Sequence, residues 1–215
     1  MAEKIKNYSL EEILSMDKRF RASFINSLGG FKSVVLIGTQ SKEGLTNLAV
    51  FNSIVHIGST PPLIGFIVRP DSVERHTLDN ILSTKYYTLN HLHQAIVEQA
   101  HQTSARYDRS ISEFDAVGLT PAYKTGFFAP FVKEAKIQLG MELKEKIELE
   151  INGTILIIGE IKQASLPSKV IQNDGFVNLA AAGTIASSGL DSYHLTEQLK
   201  RFSYAKPDSP LNEIK

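Results

Sequence analysis

The first apolar pattern along the chain predicts a helix over residues 9–28. Ser9 and Glu12 have the spacing of a capping box, in which each side chain bonds the other residue's backbone. Apolar residues then recur at intervals of three and four residues or their multiples, which places them on one helical face. They are Leu10, Ile13, Leu14, Phe20, Phe24 and Leu28. Gly29 and Gly30 are expected to end the helix.

After Gly30 the pattern changes to short segments rich in β-branched residues, which is typical of strands. Three of them, SVVLIGT, AVFNSIVHIG and LIGFIVR, are joined by connections too short for crossover helices. They are therefore predicted to be adjacent antiparallel strands. Helices are predicted over 76–83 and 94–106, with the strand KYYTLNHL between them. Later strands surround Asn152-Gly153, a hairpin signal.

The remaining segments complete one predicted domain. Residues 107–130, rich in Gly, Pro and Asp, are expected to form a long surface excursion, and 193–202 a final helix. Short strands with helices outside them favour a mainly β fold of the α+β type, an antiparallel barrel with peripheral helices. We expect an N-terminal helical extension at 1–30, the barrel domain at 31–203 and a polar tail at 204–215.

Composition and charge exclude several function classes. The 23 Lys and Arg balance the 23 Asp and Glu, so overall charge favours neither nucleic acid nor an anionic membrane as a partner. The chain has no cysteine, which excludes disulfides, thiolate nucleophiles, Cys-ligated zinc and iron–sulfur clusters. No apolar run is long enough for a membrane span, and no apolar segment follows the N-terminal charges. We therefore expect a cytoplasmic protein.

Polar side chains interrupt the apolar segment 44–53, GLTNLAVFNS. Asn47, Asn52 and Ser53 lie among apolar residues, and Thr46 with Asn47 is expected in a turn with free backbone N–H groups. In-plane donors and apolar contacts suit a planar heterocycle. The alternative is an ordinary strand with one polar face.

A second polar cluster runs from Arg69 to Thr77 into the predicted helix 76–83. Free N–H groups at the helix start, the Thr77 hydroxyl and the forked donors of Arg69 and Arg75 would together form a phosphate site. In the alternative, Thr77 only caps the helix and Arg75 pairs with Glu74 or Asp79. Both alternatives stay open at the level of sequence.

The histidines permit a metal hypothesis, which is not favoured. His91 and His93 at a strand end, with Glu98 and His101 on the next helix, have ligand chemistry, but no fixed spacing links the two pairs. Polar surface or cofactor-side histidines are favoured, and no metal is expected. His56, within an apolar strand, is expected to be a hydrogen-bonded core histidine.

Established nucleotide and hydrolase motifs are not found. The sequence contains no Gly-x-Ser-x-Gly, no Gly-x-Gly-x-x-Gly and no phosphate-loop motif. A nucleotide cofactor would therefore bind outside those frameworks.

An ordered series of landmarks over roughly residues 20–207 resembles the flavin reductase-like family, whose fold is a Greek-key-like, FMN-binding split β-barrel. Within 34–90 these are an opening strand, an acidic-glycine turn, an Asn-containing loop leading to Ser, Pro-Pro before a hydrophobic strand, and Arg-x-Thr before a helix. The later landmarks are Ser112-Glu113-Phe114, Gly118-Leu119-Thr120, Ala129-Pro130, Glu134-Ala135, Gly159-Glu160-Ile161 and Gly189-Leu190-Asp191-Ser192-Tyr193.

The resemblance implies non-covalent FMN and a set of contacts to it. Positions that line the isoalloxazine and ribityl chain in the family match Asn47, Leu48, Ala49, Val50, Phe51, Asn52 and Ser53. Positions that bind the phosphate match Arg75 and Thr77, and Arg69 is a weaker match. The chain departs from the family at His76, where an acidic residue is usual, and at Phe51, where Tyr or a small residue is usual.

The resemblance also implies NAD(P)H as electron donor, free flavin or a partner oxygenase as acceptor, and a homodimer with flavin near the interface. The clusters contain no obvious general acid or base, which suits hydride transfer because the cofactor carries that chemistry. Two alternatives stay open. One is a flavin-binding electron carrier that does not react with NAD(P)H, and the other is a non-enzymatic dimer whose 107–130 segment contacts a partner.

Overall fold

The computed structural model describes residues 4–70 and 75–214. Its strands are β1 (Lys32–Ser33), β2 (Val35–Gln40), β3 (Thr46–Phe51), β4 (Ile54–Ser59), β5 (Pro62–Val68), β6 (Tyr86–His91), β7 (Pro121–Ala122), β8 (Phe131–Val132), β9 (Gln138–Leu149), β10 (Thr154–Ser165), β11 (Ala186–Ser188) and β12 (Ser192–His194). Its helices are α1 (Leu10–Ser15), α2 (Lys18–Leu28), α3 (His76–Thr84), α4 (Val97–Gln102), α5 (Glu113–Val117) and α6 (Leu179–Ala182), with 3-10 turns at Gln94–Ile96 and Ser168–Val170.

One antiparallel sheet of seven strands, in the order β3-β2-β6-β9-β10-β5-β4, dominates the fold. A three-stranded sheet has the order β1-β11-β12, and β7 pairs with β8. The mainly β fold class with outer helices is thereby confirmed. The hairpin predicted at Asn152-Gly153 is also confirmed, but its turn is longer than the two residues expected, since Thr154 pairs with Leu149 across residues 150–153.

Both faces of β2 are buried, which explains its continuous apolar run. Val35 and Ile37 pack with Phe66, Tyr87 and Met141 in one core layer. This layer also receives the apolar face of α3, through Leu78 and Ile81. The alternate residues of β2 face a second layer, because successive strand side chains point to opposite faces. That layer contains Val34, Leu36, Leu48, Leu92 and Phe114.

The prediction that AVFNSIVHIG pairs antiparallel with its neighbours in sequence is confirmed, because β3 pairs with β2 and β4 pairs with β5. The prediction that it is one strand is wrong. The segment is divided at Asn52-Ser53 into β3 and β4, which lie at opposite edges of the large sheet. Ser53 stabilises the break, since its carbonyl accepts from Ile67 N at 3.3 Å and its hydroxyl donates to Ile67 O at 3.1 Å. The two edges of the sheet are thus joined by a two-residue link.

The predicted helix 9–28 is two helices. Ser9 and Glu12 form the expected capping box at the start of α1. Asp17 then begins α2 by accepting from Arg19 N at 2.9 Å. The apolar stripe is not packed on the barrel: none of the residues in α1 and α2 is buried.

Three other local predictions are wrong. The helix predicted at 94–106 is a 3-10 turn followed by α4, which ends at Gln102. The helix predicted at 193–202 is instead the strand β12, whose Tyr193 pairs with Ser187, followed by irregular chain. The 107–130 excursion is partly core, because α5 within it places Phe114 in the core with no exposed surface.

His56 is exposed, so the prediction of a core histidine is wrong. The strand β4 is an edge strand whose pairing with β5 shifts register between His56 and Gly58. Its neighbours Val55 and Ile57 are also exposed. None of the helices in the two described ranges is long and apolar enough to cross a membrane.

Burial of His91 makes the stability of the fold depend on pH. Enclosure of the ring lowers its pKa from 6.5 to about 4. Between these values the unfolded chain binds a proton that the folded chain does not, so the free energy of unfolding should fall as pH is lowered from 6.5 to 4. We expect a loss of about 3 kcal/mol, because the two pKa values differ by more than two units and one unit corresponds to about 1.4 kcal/mol.

Urea unfolding of wild type and His91→Asn at a series of pH values measures this contribution. Asn keeps a polar atom near the Thr184 hydroxyl, which lies 3.5 Å from the ring Nδ1. The variant should lose less stability than wild type on acidification, and equal losses would contradict the assignment to His91.

Candidate functional site

A cleft of about 890 Å³ runs along the edge strand β3. Its walls come from β3 and the link to β4, the end of β5, the start of α3, the residues after α4, and the β1-β11-β12 sheet. Most of the residues matched to flavin contacts lie in this one cleft. They are Asn47, Ala49, Val50, Phe51, Asn52, Ser53, Arg69, Arg75 and Thr77.

Leu48 does not line the cleft. Its side chain has no exposed surface and packs in the core layer of Phe114. Its backbone does face the open edge, where Leu48 N donates to Glu113 Oε2 at 2.9 Å. The side chain therefore supports the strand from behind, and only its backbone lies on the ligand side.

The open edge of β3 supplies the backbone donors that were expected from a turn. Thr46 and Asn47 lie within β3, not in a turn. In an antiparallel pair, alternate residues direct both N–H and C=O away from the partner strand. Because Leu48 N faces away from β2, the N–H and C=O of Val50 face the same open edge. Val50 also lines the cleft, so these groups are placed to meet a planar ligand.

A buried polar network joins β3 to α3. Asn47 Nδ2 donates to Thr77 Oγ1 at 2.9 Å and is 3.3 Å from Thr39 Oγ1. Asn80 Nδ2 donates to the same Thr39 hydroxyl at 3.1 Å. Since the Thr77 oxygen accepts from Asn47, its own proton is directed to another acceptor. The network fixes the start of α3 beside the β3 edge.

The N-terminus of α3 lines the cleft. Its N-cap residue is Arg75, and within residues 4–70 and 75–214 no side chain forms a capping hydrogen bond there. Thr77 lies inside the first turn and is therefore not the cap, and an anion in the cleft would face this helix start. Arg75 Nη2 donates to Pro70 O at 3.2 Å, whereas its Nε is buried without a partner among the described residues.

The sequence offered Glu74 and Asp79 as alternative ion-pair partners of Arg75. Asp79 pairs with Arg109, at 3.1 Å, on the surface of α3. Glu74 lies in 71–74, outside the described residues. The exposed Arg69 also reaches the cleft, at the end of β5.

The cleft is locally cationic although the chain as a whole is neutral. Four permanent cations line it, against the carboxylates of Glu113 and Asp191. The cations are Lys32, Arg69, Arg75 and Arg106. The imbalance attracts an anionic ligand without giving the whole surface a charge.

Glu113 is a buried carboxyl group at the edge of the cleft. It begins α5, whose N-cap residue Ser112 lies with its Oγ 2.6 Å from Thr46 Oγ1. Burial raises the pKa of Glu113, and the Leu48 N–H and nearby His76 oppose that rise. The residue thus joins α5 to the backbone of β3.

Replacing Glu113 by Gln should change how stability varies with pH. Because the folded pKa is raised, the folded chain binds more protons than the unfolded chain just above the usual value of 4.5. The wild type therefore loses stability as pH rises through that window, and the amide does not titrate. We expect Glu113→Gln to gain stability relative to wild type from acid to neutral pH in thermal unfolding. A constant difference across that range would contradict this role.

Sequence reasoning missed the wall formed by the small sheet. Lys32, Ser187 and Tyr193 line the cleft from β1, β11 and β12, and His101 Nδ1 lies 3.0 Å from Tyr193 OH. The run at 189–193 served only as a family landmark, and nothing local indicated that it faces the same ligand as β3.

The histidines of the metal hypothesis lie in separate environments. His91 is near Thr184, His93 Nε2 is 2.9 Å from Glu134 O, and His101 meets Tyr193. In residues 4–70 and 75–214, no group of three His, Asp or Glu side chains is placed to hold a metal ion.

The comparisons with known proteins identify related chains. A family model described as the flavin reductase like domain matches residues 28–180. A solved structure from Shewanella frigidimarina NCIMB 400, provisionally named a flavin reductase with split barrel domain, is 50% identical with a TM-score of 0.90, and the match covers 93% of this chain and 100% of that one.

Two further relatives are more distant. Nitrilotriacetate monooxygenase component B from Bacillus cereus is 20% identical with a TM-score of 0.80, over 92% of this chain and 99% of that one, and so shares the fold. An uncharacterised protein of Aquifex aeolicus is 30% identical over 109 residues, which are 50% of this chain and 56% of the relative. That match thus spans just over half of the relative's length.

Proposed function

Since the chain belongs to the flavin reductase-like domain family, we propose that it is an FMN-binding oxidoreductase in which NAD(P)H reduces the bound flavin. Electrons then pass to free flavin or to a partner protein such as an oxygenase. The observation that carries the proposal is one cleft in which the start of α3, an arginine nitrogen without a partner among the described residues and the outer edge of β3 meet.

The residues present fit FMN at both of its ends. At the phosphate end, the buried Arg75 Nε lacks a partner among the described residues, and Thr77 keeps a hydroxyl proton for an acceptor. An anion there would satisfy both donors and the N-terminus of α3. At the ring end, the β3 edge offers backbone groups, and Ala49, Val50 and Phe51 offer apolar surface.

Bound FMN would supply the redox chemistry, since flavins accept a hydride and pass its electrons on. The chain's own residues bind and orient. Asn47 and Thr77 fix α3 against β3, and Glu113 fixes α5 against the same strand. Hydride transfer requires placement more than side-chain proton transfer, so the proposal assigns these residues binding and orienting roles.

Anaerobic reduction of the FMN-loaded protein tests the proposal. We expect NADH or NADPH to bleach the visible flavin absorbance, which returns when free flavin or oxygen is supplied. If dithionite bleaches the flavin absorbance and neither nucleotide does, the protein is a flavin-binding electron carrier that does not react with NAD(P)H. A colourless protein whose thermal stability FMN does not raise would contradict flavin binding and leave the scaffold function.

We also propose that the chain is a homodimer with the cleft near the interface. The isolated chain exposes 13627 Å², against about 9,900 Å² for a monomer of this mass. The arm 4–31 contributes to this exposed area, since its apolar residues Leu10, Leu14, Phe20 and Leu28 are each more than half exposed. Asn26 of α2 also lines the cleft, so a partner covering this arm would lie beside the site.

Charge substitutions on the arm test the dimer. Leu14→Glu with Leu28→Glu should shift the protein from dimer to monomer in light scattering, because both side chains are exposed and apolar. Ile151→Glu is the matched control, since Ile151 is 94% exposed on the β9–β10 turn, outside the arm, and does not line the cleft. A monomeric wild type, or a double variant that remains dimeric, would contradict the proposal.

A further inference from the structure

A second polar row crosses the small sheet on the face that lines the cleft. Lys32 of β1 pairs directly with Ser187 of β11, and Ser187 pairs directly with Tyr193 of β12. Directly paired residues of antiparallel strands project on the same face. All three line the cleft, so the row forms a wall that is separate from the β3 and α3 groups assigned to FMN.

Ser187 is the unexplained member of this row. It is 2% exposed, and its hydroxyl has no hydrogen-bond partner among the described residues. A buried hydroxyl without a partner is costly, because it has lost its bonds to water. A ligand group that both donates and accepts would remove that cost.

The other members of the row are held in place. Lys32 Nζ donates to Gly189 O at 3.0 Å and lies 3.4 Å from Asn26 O. Gly189 O also accepts from Asn52 Nδ2 at 3.0 Å, which ties the β11–β12 turn to the end of β3. Burial and Asp191 raise the pKa of Tyr193, so it stays a neutral phenol beside His101.

The cleft is large and has apolar surface beside the polar row. Its volume of about 890 Å³ is near the top of the range of roughly 300–1,000 Å³ for ligand sites. Apolar side chains of Val34 and Leu190 also line it. Their surface suits the face of a flat ring, and the polar row suits a substituent at the ring's edge.

We propose that Lys32, Ser187 and Tyr193 bind the carboxamide-bearing ring of the nicotinamide donor, an inference that rests on the proposed function. A carboxamide has one carbonyl acceptor and two N–H donors. The Lys32 ammonium donates to the carbonyl, and the Ser187 hydroxyl can serve either group. These are positioning residues: they orient the donor ring and take no part in the electron transfer itself.

Ser187→Ala in the FMN-loaded protein tests the proposal. The probe is NAD⁺, which cannot reduce the flavin, and its binding is followed by the change in the visible flavin spectrum. We expect the Kd of NAD⁺ and the KM of NADH to rise about three- to tenfold, the effect of losing one or two hydrogen bonds, with the Kd of FMN unchanged. Binding of AMP, which lacks the ring, should not change.

Ser188→Ala is the matched control, because Ser188 is the next residue of β11, faces away from the row and lies 2.9 Å from His194 Nε2. Removal of an unpartnered hydroxyl should not destabilise the fold, so Ser187→Ala should unfold at or above the wild-type temperature. Lys32→Met gives a second test of the same row, with the same expected rise in the Kd of NAD⁺.

The outcomes separate this inference from the proposed function. Wild-type protein that takes up no FMN, or that neither nucleotide reduces, would overturn both. If NADH reduces the wild-type protein but Ser187→Ala and Lys32→Met bind NAD⁺ as tightly as wild type, the assignment of this row to the nicotinamide ring is overturned and the proposed function stands. A higher Kd of FMN in Ser187→Ala would also overturn the assignment, because it would show that the hydroxyl contacts the flavin.

Discussion

Replacing Arg75 by Met is expected to weaken FMN binding by about 10- to 150-fold, since a hydrogen bond to a charged group contributes about 1.5–3 kcal/mol. Arg75 begins α3, and its buried Nε has no partner among the described residues. Loss of the side chain removes both that donor and one positive charge from the cleft. Quenching of flavin fluorescence on binding gives the Kd directly.

Arg109→Met is the control for this prediction. Arg109 pairs with Asp79 of the same helix but does not line the cleft, so its removal changes the charge by the same amount outside the site. We expect the control to bind FMN within about twofold of wild type, because exposed ion pairs contribute little. Equal loss in the two variants would indicate a general charge effect and contradict a phosphate contact at Arg75.

Gly38→Ala is expected to lower the free energy of unfolding by about 3 kcal/mol, because overpacking of a buried position forces the backbone apart. A Cβ at Gly38 would lie 2.3 Å from Pro130 O and 2.7 Å from Thr88 Oγ1. Neither neighbour can retreat freely, since Thr88 Oγ1 donates to that same carbonyl at 2.7 Å. The segment after Pro130 is held as well, through Val132 N and Asn90 Oδ1 at 2.9 Å.

Gly58→Ala is the comparison for this substitution. A Cβ at Gly58 would meet only Pro61 O, at 3.5 Å, an ordinary contact. Urea unfolding should show a much larger loss for Gly38→Ala than for Gly58→Ala. Similar values for the two would mean that the contact between β2 and the 130–132 segment is looser than described.

Local pattern was sufficient where an element is defined by its own residues. The helix predicted at 76–83 is α3, because its apolar residues recur with helical spacing and reach the core through Leu78 and Ile81. The β9–β10 hairpin follows from Asn152-Gly153, where Gly153 takes a positive φ of 69°. The fold class and the family resemblance are both confirmed.

Local periodicity failed where a local cap interrupts it and where distant contacts decide the structure. Helical spacing runs unbroken from Leu10 to Leu28, yet the side chain of Asp17 starts a second helix within it. Tyr193 was predicted to be helical, but its pairing with Ser187 places it in a strand. Such pairings depend on the chain's return to the sheet and leave no periodic signal.

The dependence on distant contacts also explains why only one wall of the cleft was predicted from the sequence. The β3 and α3 contacts lie in two short segments near each other in the chain, so their polar residues stand out. The opposite wall depends on contacts such as Lys32 Nζ to Gly189 O, which join residues 157 positions apart. Leu48 shows the opposite error: it was predicted to contact the ligand because it lies within a site segment, but its side chain faces the core.

Titration of the wild-type protein with FMN and, separately, with riboflavin tests most directly whether the cleft holds a flavin by its phosphate. The two ligands share the ring and ribityl chain and differ only in the group assigned to Arg75, Thr77 and the start of α3. We predict saturable binding of one FMN per chain, at least tenfold tighter than riboflavin. No saturable binding, or equal affinity for the two, would contradict it.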